Sequence, residues 1–155
     1  MAADEALLSA LQEAHDLEAT ASELWHKQEH AFKVGPLRIK RLAKWFDRRH
    51  KEAYDRQHDL RRHIMRLGGT VETNLGGTGY SNDPGEALET ACDVLDDLKD
   101  AHEAVRDAAK KAGDRGTVER FHNYQRDIQS VYAKGQQKQA MLKELGQALF
   151  IHKHS

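Results

Sequence analysis

Residues 67–85 read LGGTVETNLGGTGYSNDPG. Six of the chain's eleven glycines fall between positions 68 and 85. No apolar periodicity runs through the stretch, so it predicts one long surface loop. Asp83-Pro84 closes the loop as an N-cap followed by proline at the first helical position, where a missing N–H costs nothing. The sequence on both sides is helical in pattern. Gly35-Pro36 breaks one helix and opens the next, Gly68-Gly69 ends the second, Gly113 stops the third and Thr117 caps the fourth. Helices are therefore expected near 5–33, 36–67, 84–112 and 117–148, each roughly 45 Å long at 1.5 Å per residue.

Heptad-like spacing supports all four. The first carries Leu7, Leu11, Ala14, Glu18, Ala21, Trp25, Gln28 and Phe32 on one stripe. The second carries Ile39, Ala43, Phe46, His50, Ala53, Gln57, Leu60 and Ile64. The third has Leu88, Ala91, Leu95, Leu98, His102 and Val105, and the fourth Phe121, Tyr124, Ile128, Val131 and Leu142. Short links make the first pair and the last pair antiparallel hairpins. The middle link is long enough to run the length of a bundle, so the second and third helices can be parallel. The expected fold is all-α, a single domain over 1–155, with the one-crossover four-helix arrangement of ferritin-like proteins.

Composition narrows the class. No apolar run approaches the roughly 18–20 residues a membrane span needs, and the acidic MAADEALL start resembles no leader. The lone Cys92 excludes an intrachain disulfide. A cytoplasmic protein with no membrane partner is expected. Net charge is −1 but segregated. Residues 1–33 hold seven acids against Lys27 and Lys33, residues 37–67 eleven Lys/Arg against four acids, and residues 83–107 nine acids against Lys99 and Arg106. Such segments are complementary neighbours in a bundle or oligomer, or the basic run at 38–51 meets nucleic acid. With an acidic N-terminus in place of a basic tail, weak, nonspecific DNA binding is the most expected.

Of the polar residues in the apolar stripes, Glu18, His50 and His102 are the informative ones, each near the middle of its helix. One carboxylate with two imidazoles can hold Fe²⁺ or Zn²⁺. The same residues can instead form a hydrogen-bonded polar layer, with Glu18 paired to a protonated histidine and Tyr132 or Gln57 completing it. A second group comprises His26, His30, Asp47, Asp55, His58 and Asp59. Of these, His30, Asp47, Asp55 and His58 point outward on helical angles, towards solvent or a metal shared between subunits. His152-Lys-His154 reads as a tail. Gly76-Gly77-Thr78-Gly79 lacks the lysine of a phosphate-binding loop, and no nucleophile pattern is present.

His30 with Gly35-Pro36, Trp45-Phe46-Asp47 and Leu67-Gly68-Gly69 resembles the first half of the Dps mini-ferritins. Ala112-Gly113-Asp114-Arg115-Gly116-Thr117 with Arg126-Asp127 is similar to the start of their last helix. His50…Asp55-Arg56-Gln57-His58 is similar to the Glu-x-x-His helix of bacterioferritins, with Glu18 matching their first-helix ligand. The resemblance implies a homo-oligomer that binds iron, oxidises Fe²⁺ with O₂ or H₂O₂ and stores the ferric product. The motifs also depart from the pattern. The second Dps histidine falls near Leu42 or Ala43, and the Dps Asp and Glu fall on His58 and Arg62. The second Glu-x-x-His of bacterioferritins falls on Ser130 and Ala133; Glu119-Arg-Phe-His122 has the spacing but lies at the helix start. A standard four-carboxylate, two-histidine centre is not expected, and no haem site is identifiable. The metal candidates are thus Glu18, His50, His102, His30 and His58. The rival expectation is a non-catalytic ferritin-fold structural or binding protein that has lost the site.

Overall fold

The structure, a computed structural model, describes residues 2–77 and 79–155; Thr78 of the glycine-rich stretch lies outside the described residues. It has α1 (Ala2–Val34), α2 (Lys40–Arg66), α3 (Pro84–Lys111), α4 (Arg115–Leu145) and a short α5 (Gln147–Lys153). Apolar residues gather in two clusters. One joins the start of α1 (Leu7, Leu11) to the ends of α2 and α3 (Leu60, Ile64, Val105, Ala109) and the start of α4 (Phe121). The other joins the end of α1 (Trp25, Phe32) to the starts of α2 and α3 (Phe46, Leu88, Leu95), Ile128 and Phe150. The ends of α2 and α3 share one pole and their starts the other, so these helices run parallel. The chain has the ferritin-like four-helix bundle fold with a long crossover.

That crossover is strapped to α1. Gln12 Nε2 donates to the Glu72 carbonyl, Asn74 N–H to Asp16 Oδ1 at 3.2 Å, and Gly76 N–H to Thr20 Oγ1 at 2.9 Å. Gln28 grips Ser81 twice, donating to its carbonyl at 2.6 Å and accepting from its N–H at 3.1 Å. Gln12, Asp16, Thr20 and Gln28 recur in multiples of four, the spacing that aligns side chains on one helical face.

Three boundaries differ from expectation. Helix α2 begins at Lys40 rather than 36, because residues 35–39 form an extended turn in which Ile39 N–H returns to the Phe32 carbonyl at 2.9 Å. Ile39 has no capping side chain; the backbone N–H of Arg41 instead donates to the His154 carbonyl at 2.7 Å. The C-terminal segment thus satisfies one of the exposed donors of α2. The cap of α4 is Asp114, not Thr117: its carboxylate accepts from Thr117 N–H at 3.1 Å and from the Thr117 hydroxyl at 2.7 Å. Asp83 caps α3 as the sequence suggests, accepting from Glu86 N–H at 2.9 Å.

Helix α4 ends at Leu145 because Gly146 adopts φ +78°, a left-handed conformation that glycine enters without steric cost. The chain then turns into α5, so residues 152–154 are not a free tail. Phe150 is fully buried, and the His154 ring stacks on it at 4.0 Å. Burial also pushes the His154 pKa down. No helix among the described residues is long and apolar enough to cross a membrane.

Candidate functional site

The middle of the bundle holds a charged network. Glu18 and His102 are fully buried, and Arg56 is 7% exposed. Arg56 reaches Glu18 with two N–H groups, Nε to Oε2 in close contact and Nη2 to Oε1 at 3.2 Å. His102 Nε2 donates to Glu18 Oε2 at 2.9 Å. Both carboxylate oxygens are therefore occupied by hydrogen-bond donors. Burial alone would raise the Glu18 pKa. The Arg56 charge, aided by His102, outweighs burial and holds the carboxyl below its ordinary value. Burial likewise disfavours the Arg56 charge, and Glu18 more than restores it. The result is an ionised Glu18–Arg56 pair inside the bundle, with His102 as its third member. The His102 ring stacks on Phe121 at 5.4 Å, and its Nδ1 is one of the buried atoms without a hydrogen-bond partner among the described residues.

The three stripe residues do not converge as a trio. Glu18 meets His102, but His50 lies elsewhere. In an antiparallel hairpin each step forward along α1 is a step back along α2. Arg56 therefore falls opposite Glu18, and His50 falls opposite Ser22, one turn farther on. His50 Nδ1 lies 2.9 Å from the Ser22 carbonyl and 3.0 Å from its hydroxyl. The partners suggested for the polar layer, Tyr132 and Gln57, give way to Arg56.

A second polar cluster links α2 to α4. Asp59, a member of the second group to which no outward direction was assigned, is 6% exposed. It accepts from Tyr124 Oη at 2.6 Å and pairs with Arg120 at 3.1 Å and with His63 at 3.6 Å. Burial, then the hydrogen bond to Asp59, push the Tyr124 pKa up to about 12. Beside Glu18, His15 Nδ1 is 3.2 Å from Asp16, and its Nε2 accepts from Arg61 Nε at 3.1 Å. Burial leads in lowering the His15 pKa, with Arg61 adding to it.

On the outer face, His30 is exposed and packs its ring 4.5 Å from that of His26, with Glu29 between them in sequence. His58 stands apart, half-buried against the Tyr54 ring at 4.3 Å. Asp47 pairs with Lys51 at 2.9 Å, and Asp55 is exposed. His30 and His58 thus belong to different patches within the chain. The segregated charges of α1 and α2 meet directly at one ion pair among the described residues, Arg56–Glu18. Arg49 and Lys51 pair within α2 itself.

A ferritin-like dinuclear centre needs carboxylates from two helices and a Glu-x-x-His motif from each of the other two, all projecting inward. Here Asp55, Asp127, Ser130, Ala133, Glu119 and His122 are all exposed. Of the buried carboxylates, Glu18 faces the Arg56 guanidinium and Asp59 that of Arg120, and a guanidinium donates hydrogen bonds and cannot ligate a cation. The interior donor set does not fit such a centre. Sequence reasoning missed Arg56, which entered only among the eleven Lys/Arg of residues 37–67 and in the Asp55-Arg56-Gln57-His58 resemblance. A signal was present: Leu42, Arg49, Arg56 and His63 repeat every seven residues, and all four are buried.

No protein-family model matches the sequence, and no curated protein matches it. Solved structures do. The chain is similar to the Rhodobacter capsulatus bacterioferritin described with a metal-free dinuclear site and haem iron, at 17% identity, over 96% of this chain and 92% of that one, with TM-score 0.89. It is also similar to a mycobacterial bacterioferritin at 14% identity, over 96% and 91% of the two chains, with TM-score 0.88. At these identities the likeness is one of fold: the chain is built as the ferritin-like four-helix bundle seen in bacterioferritins.

Proposed function

We propose that this chain is a subunit of a ferritin-like homo-oligomer that binds and holds iron without a ferroxidase centre inside its own bundle. The observation carrying this reading is the Glu18–Arg56–His102 network. It fills the mid-bundle position with a paired cation while the fold matches bacterioferritin over 96% of the chain. Iron binding rests on that likeness of fold. Loss of the interior centre rests on the donor set. The Dps pattern, with oxidation by O₂ or H₂O₂ between two subunits, draws on His30 and on an Asp and Glu from a neighbouring copy. The aligned positions are His58 and the exposed Arg62, and an arginine brings no ligand there. Retention of iron rather than its rapid oxidation is therefore the favoured activity.

The test is aerobic Fe²⁺ addition, followed by ferric absorbance against a protein-free control and by gel filtration of the product. Ferric iron is expected to co-elute with the assembled protein, with no fast phase saturating near about two irons per chain. A fast stoichiometric phase that disappears in Glu18→Leu would restore an interior ferroxidase centre. Failure of iron to co-elute would leave a purely structural assembly.

A further inference from the structure

We propose that His26, Glu29 and His30 form a binding site for a late first-row divalent cation on the outer face of α1, within a single protomer. The site is independent of the bundle interior and of whether the protein holds iron. One ligand atom from each residue lies within 4.8 Å of the others, the only such group of three His, Cys, Asp or Glu side chains among the described residues. Spacings of three and four place all three on one face of one helical turn. The donors are two imidazole nitrogens and one carboxylate oxygen, a set that suits Zn²⁺, Cu²⁺, Ni²⁺ or Fe²⁺ better than the oxygen-seeking Mg²⁺ or Ca²⁺. Two histidines and a glutamate also make a known three-ligand zinc set that leaves a position open.

The geometry is close to what an ion requires. Tetrahedral Zn²⁺ with bonds near 2.05 Å separates its ligand atoms by about 3.4 Å. An ion there requires the cluster to close to that distance, and the backbone carrying it is continuous helix. Glu29 is only 13% exposed, and its contacts with His26 Nδ1 and Lys33 Nζ are both loose at 3.9 Å, so neither holds the carboxylate back. The His26 ring also lies 4.9 Å from that of His50. A carbonyl oxygen only accepts, so the His50 contact with the Ser22 carbonyl puts the proton on Nδ1. In the uncharged form of that ring the lone pair sits on Nε2. This is the backbone-oriented tautomer seen in metal-bound histidines, and it places a further imidazole from α2 beside the site.

The full-length, metal-stripped protein is titrated with Zn²⁺ by calorimetry, in parallel with His26→Ala/His30→Ala, Glu29→Gln and His152→Ala. All four substituted side chains are at least partly exposed, and circular dichroism checks that each variant keeps its helices. One Zn²⁺ per chain is expected for the wild type and for His152→Ala. Affinity should fall roughly tenfold or more when two of the three ligands are deleted, and by a smaller factor in Glu29→Gln. An unchanged isotherm in the double histidine variant overturns the proposal, as does absence of Zn²⁺ uptake by the wild type. Loss of the site in His152→Ala alone would assign the zinc to the C-terminus and overturn it equally.

Discussion

Glu18→Leu and Arg56→Met, made singly and together, test whether the charged core is a coupled unit. Glu18→Leu strands the Arg56 guanidinium in the bundle. The next anion acting on it, Glu52, sits on the same helix and is already engaged by Arg49. Arg56→Met strands an ionised carboxylate that is fully buried and retains only His102. Removing one partner of a buried pair costs about 3–5 kcal/mol, so each single variant should lose that much. The double variant replaces the pair with apolar side chains of similar length, which is often neutral or better. What remains is the His102 N–H without its acceptor, worth about 1–3 kcal/mol. The double variant should therefore be more stable than either single one, with a coupling energy of about 6 kcal/mol, against a loss of about 6–10 kcal/mol if the effects were additive. Urea unfolding reads this out through the buried Trp25 and Trp45, at fixed protomer concentration because assembly shifts apparent stability. Single variants within about 1 kcal/mol of wild type, or additive losses in the double, would refute the reasoning.

Three further outcomes are expected. Glu18 has a folded pKa below its ordinary 4.5, so its stabilisation is complete above that value and is lost as pH falls through the folded pKa; Glu18→Gln should flatten the acid limb of a stability–pH curve. Tyr124 behaves oppositely: its contribution is full below pH 10 and drains away towards about 12, so phenolate absorbance should show one of the four tyrosines titrating late, and Tyr124→Phe should remove that late step. Phe150→Ala should cost about 3–5 kcal/mol in urea unfolding. It should also speed hydrogen exchange at the Arg41 amide, because α5 delivers the carbonyl that amide donates to.

The helices and crossover were legible because their signals are local. Gly-Gly, Gly-Pro and Asp-Pro punctuate the chain, and apolar stripes last for many turns. Helix α5 is not legible in the sequence, because seven residues carry too little periodicity and Gly146 lies inside what reads as a continuing pattern. Glu18 and His102 were identified by their place in apolar stripes, and they meet. His50 satisfied the same criterion and went elsewhere, because hairpin register is a property of two helices that neither stripe encodes alone. Arg56 escaped because a single stripe was assigned to α2, whereas a helix in a bundle has two neighbours and buries a wider arc. Arg49, Arg56, Asp59 and His63 line that second seam, where charged side chains carry no apolar signal.

Helix α1 serves as a ruler for the crossover. Gln12, Asp16, Thr20 and Gln28 mark fixed intervals along it and seize mainly backbone groups of the passing chain, while residues 72–77 are themselves exposed. Specification of the path is therefore carried by a segment some sixty residues earlier in the chain. Residues 72–77 other than Asn74 can therefore drift in sequence provided their number is kept, and the apparently idle polar face of α1 is the part that must not change.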